Sequence, residues 1–277
     1  MKKISRRSFM AAAAVSVAAL ALTACGGSAS SAASSVASSA ASSEAASSAA
    51  AELTTVEAGK LTMATNATFP PYEMTTDSGE LEGIDVDTAK AIAEKLGLEL
   101  QIDDMDFDAA LLSVQQGKAD IVMAGVTVTD ERKAVMDFSD SYATGIQSII
   151  VPNDSDIASP DDLAGKKIGT QRGTTGYIYC SDDFGEAAVV AYDSGLTAVQ
   201  ALNNGQVDAV VIDNAPATEY VAANPGLKVL DTSYAEEDYA IGMAKGSALE
   251  DAVNKALEEL KADGTLQAIV DKYINAN

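Results

Sequence analysis

The chain has 277 residues, of which 41 are acidic and 18 basic, and its formal net charge is −23 at pH 7. This balance argues against nucleic-acid binding, which needs Lys and Arg to neutralise phosphates, and against adhesion to an anionic membrane through a basic patch. The chain has no histidine, which excludes Ser-His-Asp and Cys-His catalytic systems and zinc sites that contain histidine. We expect neither a metal nor a cofactor.

The first 24 residues have the layout of an export signal. Their start, MKKISRRSFM, is positively charged, and the apolar run at 11–21 is shorter than the ~20 residues of a membrane span. The next letters, LTAC, place Cys25 before two glycines and resemble the lipobox at which bacterial lipoproteins are cut and lipidated. We predict a signal peptide at 1–24 and a lipid on Cys25. An ordinary cleaved signal is the alternative, and secretory and twin-arginine export both stay open.

Residues 25–55 are predicted to be the lipidated cysteine and a tether. The segment 26–51 is almost entirely Ala and Ser, with Glu44 as its single charge, so it has too little apolar surface to offset the entropy of ordering. Loss of the signal's four basic residues would take the formal charge from −23 to −27. Cys180 would be the only other cysteine, so we expect no internal disulfide. The lipid alone would hold the exported chain on the outer face of the cell membrane, in the periplasm if the organism has an outer membrane.

From residue 60 onward, strand and helix patterns alternate. Short apolar or alternating runs predict strands at 61–65, 98–103, 119–125, 167–170 and 209–212. Apolar residues at helical spacing predict helices at 84–96, 107–116, 196–203, 215–223 and 249–262. The last helix is predicted to have Ser247 as its cap and Gly264 as its end. This alternation predicts an α/β fold with mostly parallel sheets covered by helices.

Two stretches repeat one pattern, LLSVQQGKADIVMA and VQALNNGQVDAVVI. Each reads as a helix, a glycine, two residues, an aspartate and an apolar strand, so Gly117 and Asp120 correspond to Gly205 and Asp208. The match is short, but it predicts that two α/β domains contain the same helix-to-strand unit.

Several motifs occur in the order found in a known family. They are ATNATFPPYEM, GIDVDTAKAIAEKLG, VTVTDER with DFSDSY, GTQRGTTG, VDAVVID and YAIGMAKGS. Over about residues 61–274, the chain resembles the extracellular solute-binding proteins of amino-acid importers, family 3. VTVTDER with DFSDSY is the most specific part of the resemblance.

The resemblance implies the two-lobed fold of the type II periplasmic binding proteins, in which the chain crosses between lobes near 142–146 and near 236–240. Residues 56–144 and 240–277 would form the first lobe and residues 145–239 the second. The resemblance also implies a monomeric, non-catalytic protein. It would capture a polar amino acid between its lobes and deliver it to the permease subunits of an ABC transporter.

Arg132 ends the stretch AGVTVTDER and is one of two arginines outside the predicted signal. A buried amino-acid ligand needs both of its charges paired, and a guanidinium can bind its carboxylate with two parallel hydrogen bonds. The alternative is a surface arginine on the turn TDERK, paired with a neighbouring acid. By the resemblance, Ala124, Gly125 and Thr127 contact the ligand's amino and carboxyl groups.

Asp213 ends the apolar run VDAVVID. A carboxylate at the C-terminal end of a parallel strand lies where such sheets bind ligands. By the resemblance, Asp213 receives the α-ammonium of the ligand. The alternative is a cap on the helix that follows, and both roles are compatible.

The stretch GTQRGTTG follows a predicted strand and is predicted to open a helix. Because helix N-termini attract anions, Thr174 and Thr175 are predicted to offer hydroxyl and N–H groups to the ligand carboxylate, with Gln171 beside them. Simple capping is the alternative, and the spacing of a phosphate loop is missing. Arg172 is left outside the predicted site.

The ligand side chain is predicted to lie against aromatic residues. By the resemblance, Phe69 and Phe107 flank it, whereas core packing is the alternative for both, and more so for Phe107. Asn66 matches a position that often holds an aspartate. Its neutral amide favours an uncharged polar side chain over a cationic one.

Two other functions are compatible with such a fold. One is a dehydratase-like enzyme acting on a small carboxylic acid, although no carboxylate pair here indicates a positioned acid and base. The other is an amino-acid sensor, although no later membrane span or signalling domain is found in the sequence. The acidic run DDMDFD lacks the glycine and the final glutamate of a calcium loop.

Overall fold

The computed structural model of the protein describes residues 53–274. The predicted signal peptide, the lipidation site Cys25 and almost all of the predicted tether lie outside the described residues. Within residues 53–274, no helix is both long and apolar enough to cross a membrane.

Strands and helices alternate along the described chain. The first part contains β1 (Lys60–Thr65), β2 (Thr68–Phe69), β3 (Glu73–Thr75), β4 (Leu81–Glu82), α1 (Ile84–Leu96), β5 (Glu99–Asp104), α2 (Phe107–Gln115), β6 (Ile121–Val122), α3 (Asp130–Val135) and β7 (Met136–Phe138). The middle contains β8 (Ala143–Pro152), β9 (Ile168–Gln171), α4 (Thr175–Phe184), β10 (Val189–Tyr192), α5 (Gly195–Asn203), β11 (Ala209–Asp213), α6 (Asn214–Ala222), β12 (Leu227–Val229) and β13 (Ala235–Tyr239), with 3-10 turns at Pro160–Leu163 and Glu186–Ala188. The last part contains β14 (Gly242–Ala244), α7 (Glu250–Ala262) and α8 (Thr265–Tyr273).

Two sheets define two lobes. The first lobe has a five-stranded sheet in the order β5-β1-β6-β14-β7, beside a small sheet in the order β2-β3-β4. The second lobe has a six-stranded sheet in the order β10-β9-β11-β8-β12, in which β13 also pairs with β8. The prediction of a two-lobed α/β fold is confirmed, and the residue boundaries of the two domains stay a prediction.

Each large sheet is mixed, so the expectation of mostly parallel sheets holds for only part of each. β1 is parallel to β5 and β6, whereas β14 is antiparallel to β6 and β7. In the second lobe, β9 is parallel to β10 and β11, whereas β8 is antiparallel to β11, β12 and β13. β8 and β14 lie next to the two lobe crossings. Neither strand is reached through a helical crossover, so each runs antiparallel to its neighbours in the sheet.

The two crossing segments lie side by side. β8 and β13 form an antiparallel ladder from Ala143 opposite Tyr239 to Gln147 opposite Ala235. Just before this ladder, the Tyr142 amide donates to the Tyr239 carbonyl oxygen at 2.9 Å. The connection between the lobes is therefore a hydrogen-bonded ribbon of two strands.

The internal repeat has the same structural role in both lobes. The Asp120 carboxylate accepts a hydrogen bond from the Thr62 amide at 2.8 Å, and the Asp208 carboxylate accepts one from the Lys167 amide at 2.8 Å. The two matching glycines have φ angles of 65° and 67°, the left-handed region that glycine adopts without strain. Each unit ends a helix and aligns the following strand with the neighbouring parallel strand.

The helices end largely where glycine interrupts their apolar pattern. α1 ends at Gly97, which has a φ of 71°. After residue 249 the sequence predicts one helix, but the structure has two, because Gly264 at φ 82° separates α7 from α8. The predicted cap Ser247 is also wrong, since the N-cap of α7 is Leu249.

The core of the first lobe draws on both ends of the described chain. Leu61 and Ile92 lie in the same buried cluster as Val253 and Leu257. The second lobe has its own buried clusters on either side of its sheet. The apolar stripe of α7 therefore completes a core that begins at β1.

Candidate functional site

A small cavity lies between the lobes and is lined by residues of both. Ten of the eleven residues predicted to bind the ligand line it, namely Asn66, Phe69, Phe107, Ala124, Gly125, Thr127, Arg132, Gln171, Thr174 and Thr175. The prediction that these residues bind a ligand stays a prediction, but the fold brings them together.

Arg132 lies on the short helix α3 and is only 9% exposed. The Thr129 side chain caps this helix by accepting a hydrogen bond from the Arg132 amide at 3.2 Å. The guanidinium donates to the Thr127 carbonyl oxygen at 2.8 Å from Nη1 and to the Gly173 carbonyl oxygen at 3.1 Å from Nη2. The alternative of a surface arginine is therefore wrong.

Burial and a nearby acid have opposite effects on the pKa of the Arg132 guanidinium. Desolvation lowers the pKa of Arg132, and the nearby Glu237 acts in the opposite direction. The guanidinium carbon also lies 5.4 Å from the centre of the Phe107 ring, a cation–π distance. A partly desolvated arginine of this kind binds a carboxylate more strongly than an exposed one does.

The stretch before Arg132 leaves the first sheet and turns toward the cavity. β6 ends at Val122, and Gly125 has a φ of 56°, so the strand is shorter than the predicted 119–125. A Cβ on Gly125 would lie 2.8 Å from Cε1 of Phe69. Glycine is needed here for both its conformation and its small size.

The second lobe contributes the loop before α4. Gln171 donates from Nε2 to Oδ1 of Asn66 at 2.9 Å across the cleft. Thr174 is the N-cap of α4, and its hydroxyl accepts from the Tyr177 amide at 3.4 Å. The Thr175 hydroxyl donates to Oε2 of Glu237 at 3.0 Å. The predicted helix start at this loop is present, so amides at its N-terminus lie beside the cavity.

Asp213 is the predicted residue that does not line this cavity. It is 2% exposed and borders a different cavity. Its carboxylate accepts hydrogen bonds from the amide of Ala215 at 3.0 Å, the amide of Ile146 at 2.8 Å and the hydroxyl of Tyr239 at 3.0 Å. The helix-capping alternative is confirmed, and the ammonium-binding role stays a prediction.

Burial raises the pKa of Asp213 to about 6, despite the three donors that lower it. The carboxylate thus has a hydrogen-bonded environment but little solvation. Its partners lie in both crossing strands and in α6, so it stabilises the junction of the lobes.

Four residues at the cavity were missed in the sequence. Glu73, Gln147 and Tyr239 line it, and Glu237 contacts three of its lining side chains. Acidic residues are mostly exposed, so no pattern marked Glu73 or Glu237 as buried. Tyr239 lies in the motif YAIGMAKGS, which was the available signal for this crossing strand.

Glu73 and Asp85 form a buried acid pair under the cavity. Both are 0% exposed, and Asp85 accepts a hydrogen bond from the Gly125 amide at 3.0 Å. Desolvation raises the pKa of Glu73 well above its ordinary value, and the neighbouring Asp85 raises it further. Burial also raises the pKa of Asp85 to about 6. Two acids so placed favour a shared proton over two negative charges.

Arg172 and Cys180 lie outside the cavity lining. Arg172 is exposed and forms an ion pair with Asp193 at 3.3 Å, outside the main cavity. Cys180 is buried in the second lobe. Neither side chain reaches the site between the lobes.

Two α/β lobes, a ribbon of two crossing strands and a small cleft containing a buried arginine define the chain as a two-lobed solute-binding protein. Residues 61–276 match the sequence profile of the bacterial extracellular solute-binding proteins, family 3, and the chain belongs to this family.

Relatives of the chain in this family have named ligands. The chain is 34% identical over 225 residues to the L-cystine-binding protein TcyJ of Escherichia coli, covering 80% of this chain and 85% of that protein. It is 34% identical over 219 residues to the arginine-binding extracellular protein ArtP of Bacillus subtilis, covering 77% and 86%.

Solved structures agree with this placement. The arginine-, lysine-, histidine-binding protein ArtJ of Geobacillus stearothermophilus superposes with a TM-score of 0.75 at 34% identity, covering 79% of this chain and 96% of that one. An ancestral arginine-binding protein bound to glutamine gives a TM-score of 0.73 at 44% identity, covering 78% and 98%.

Proposed function

We propose that the chain captures an amino acid with a positively charged side chain between its lobes. As a substrate-binding protein it delivers its amino acid to the permease of an ABC transporter, in keeping with its family and relatives. The finer proposal, a cationic side chain, rests on one observation. Glu73 is fully buried in the cavity wall beside the acid Asp85, and within 53–274 no lysine or arginine forms an ion pair with it.

The charges around the cavity support a cationic ligand. Glu73 and Glu237 are acidic, whereas Arg132 is the one basic side chain in the cavity lining. The charges of the ligand's own carboxylate and ammonium cancel. An amino acid with an uncharged side chain therefore leaves the excess negative charge of the cavity unbalanced. A ligand with one further positive charge balances this excess and favours the ionised form of the Glu73–Asp85 pair over the form that shares a proton.

Glutamine is the second candidate, for a specific reason. The pKa of Glu73 is raised by burial and by Asp85, and a protonated Glu73 can donate to a side-chain amide oxygen. The neutral Asn66 amide beside the cavity also fits an uncharged polar group. Calorimetry on the purified full-length chain with arginine, lysine, glutamine and cystine distinguishes the two.

The expected result is that arginine or lysine binds at least ~10-fold more tightly than glutamine, and that Glu73→Gln removes this preference. Equal or tighter binding of glutamine by the wild-type chain would overturn the cationic proposal and leave glutamine as the ligand. Binding of no amino acid would contradict the receptor function as a whole.

Four further features belong to the proposal. The mature chain is anchored to the cell surface by a lipid on Cys25, acts as a monomer, has no catalytic activity, and has the domain boundaries expected from the sequence. Labelling of cells with a radioactive fatty acid tests the anchor, with Cys25→Ala as the unlabelled control. Light scattering tests the monomer, and chromatography of small carboxylic acids after incubation tests for enzymatic turnover.

A further inference from the structure

The backbone holds Glu73 and Asp85 next to each other at the junction of β3 and α1. The Asp85 amide donates to the carbonyl oxygen of Tyr72, the residue before Glu73, at 2.9 Å. Gly83 makes this approach possible, because a Cβ there would overlap the Tyr72 carbonyl group. Both carboxyl groups are fully buried, and Glu73 also lines the cavity between the lobes. The charge of the pair therefore acts directly on a ligand in that cavity.

The two acids have different hydrogen-bond partners. Asp85 accepts a hydrogen bond from the Gly125 amide at 3.0 Å, and the Tyr142 hydroxyl also favours its ionised form. Glu73 forms a hydrogen bond with Asp85, which requires a proton on one of the two carboxyl groups. Beyond the effect of burial, this bond raises the pKa of Glu73 and lowers that of Asp85. Both effects favour a proton on Glu73 and a negative charge on Asp85.

The pair has no positive charge of its own. Within residues 53–274, no lysine or arginine forms an ion pair with either acid. Lys95 of α1 and Lys272 of α8 form ion pairs with other acids. Arg132 lines the same cavity, but apart from desolvation the main influence on its pKa is Glu237. A cation that balances the pair has to come from the ligand.

The other titratable groups around Glu73 do not replace such a cation. Burial raises the pKa of three neighbouring tyrosines and keeps them neutral, namely Tyr72, Tyr142 and Tyr220. After burial and Asp85, the charges of Asp104 and Asp213 raise the pKa of Glu73 further. Asp213 is itself a titratable group of the lobe junction, because burial raises its pKa to about 6. An experiment on Glu73 has to separate the two.

We propose that Glu73 carries the proton of the pair in the ligand-free protein and releases it when the positively charged side chain of an amino acid enters the cavity. This inference rests on the proposed function, because it concerns the same ligand and cavity. The O–H bond of the Glu73 carboxyl group breaks and the proton passes to the solvent. The resulting carboxylate accepts a hydrogen bond from the ammonium or guanidinium of the ligand.

Release of a proton makes the affinity depend on pH. The complex holds fewer protons than the free chain, so a rise in pH favours the complex. Where one proton is released, the affinity for a cationic amino acid rises by ~10-fold per pH unit. This range lies above pH 6, since the pKa of Asp85 is about 6 and Glu73 keeps its proton beyond it.

The test is calorimetry of arginine or lysine, whichever binds the wild-type chain more tightly, at pH 7.5 in phosphate and in Tris. Because the two buffers differ in ionisation enthalpy, the difference between the measured enthalpies gives the number of protons released. The full-length wild type is compared with Glu73→Gln. A proton exchanged at Asp213 is present in both chains and cancels in the difference. Asp137→Asn is the control, since Asp137 lies outside the cavity lining and pairs with Lys245.

We expect the wild type and Asp137→Asn to release about one proton more per ligand than Glu73→Gln does. Between pH 6.5 and pH 7.5 in phosphate, the affinity of the wild type should rise ~10-fold and that of Glu73→Gln by less than ~3-fold. Equal proton release in the wild type and in Glu73→Gln would overturn the inference.

A second variant covers the case in which Glu73→Gln does not fold, as judged by circular dichroism. Asp85→Asn removes the negative neighbour, so Glu73 ionises at a lower pH and the release at pH 7.5 should fall to less than about half of the wild-type value. An unchanged release would overturn the inference. If neither arginine nor lysine binds, the proposed function itself fails, whereas binding without this release contradicts only the inference.

Discussion

Arg132 donates a hydrogen bond from Nη2 to the main-chain carbonyl oxygen of Gly173 at 3.1 Å, so a side chain of the first lobe binds the backbone of the second. Gln171 and Asn66 form a second such contact at 2.9 Å. The lobes are therefore joined directly at the cavity. A ligand that enters must replace or extend these contacts, and its affinity reflects the difference.

The planar guanidinium of Arg132, with its pair of parallel donors, is predicted to be essential for ligand affinity. Arg132→Lys keeps the positive charge but loses the pair of parallel donors, so binding of the amino acid should weaken by ~100-fold. Arg172→Lys is the matched control, because Arg172 is exposed and pairs only with Asp193 at 3.3 Å among the described acids. Calorimetry should find the control within ~2-fold of wild type. Wild-type affinity in Arg132→Lys would contradict the assignment.

A hydroxyl away from the cavity lining is predicted to influence lobe closure. The Tyr220 hydroxyl, in the second lobe, donates to the Thr68 carbonyl oxygen, in the first, at 2.6 Å. Tyr220→Phe should weaken the closed form by about 1 kcal/mol, which lowers ligand affinity ~5-fold. Small-angle X-ray scattering should show a larger radius of gyration for the ligand-free variant.

Tyr234→Phe is the control for this change. The Tyr234 hydroxyl bonds Asp183 at 2.7 Å within the second lobe, so its loss should leave ligand affinity and radius unaltered. If both variants behave alike, the hydroxyl of Tyr220 has no specific part in closure.

The ribbon of crossing strands is predicted to tolerate no side chain at Gly145. A Cβ there would overlap the buried Tyr239 ring, whose nearest atom is Cζ. Gly145→Ala should lower the free energy of unfolding by about 2 kcal/mol or more, as overpacking does in other cores. Gly226→Ala is the control, since no heavy atom lies within 4 Å of its Cβ position. Urea unfolding compares the two, and equal stabilities would refute the prediction.

The buried acid Asp85 is predicted to make stability depend on pH. Burial raises its pKa from 3.8 to about 6, so the folded chain holds this proton more tightly than the unfolded chain does. The resulting stabilisation is complete below pH ~4 and is lost as the pH rises through 6, amounting to about 3 kcal/mol. The free energy of unfolding should therefore fall between pH 5 and pH 7, and fall less in Asp85→Asn.

Asp137→Asn is the control for the pH experiment. Its bond to Lys245 lowers the pKa of Asp137 below the ordinary value, so its contribution is lost only as the pH falls below about 4. Between pH 5 and pH 7 this variant should keep the wild-type slope. A wild-type slope in Asp85→Asn would show that another group dominates the pH dependence.

The elements that the sequence predicted well are those with local signals. α1 has apolar residues at helical spacing and a left-handed glycine after it, and its bounds match the predicted 84–96. The repeated Gly-x-x-Asp units have a helix before the glycine and a strand after the aspartate in both lobes, as their shared pattern predicted. α8 was missed because Gly264 is an equally good sign of a helix end and of a turn between helices.

The features that the sequence did not predict depend on distant parts of the chain. β14 runs antiparallel to β6 because the chain re-enters the first lobe there from the second lobe. No local sequence pattern indicates this direction. The burial of Glu73 and Glu237 follows from packing by both lobes. The motif residues were predicted to share a cleft, whereas Asp213 lies outside the cavity lining and binds groups of both crossing strands, a position that depends on their packing.

The order of the first sheet has a consequence for how the chain matures. β14 lies between β6 and β7 in that sheet, and α7 packs on α1. When the chain is synthesised from its N-terminus, the second lobe can fold from contiguous residues. The first sheet lacks β14 until residue 244 has been made. A truncation just before β14 would thus leave the facing edges of β6 and β7 unpaired, and exposed strand edges are a known starting point for aggregation.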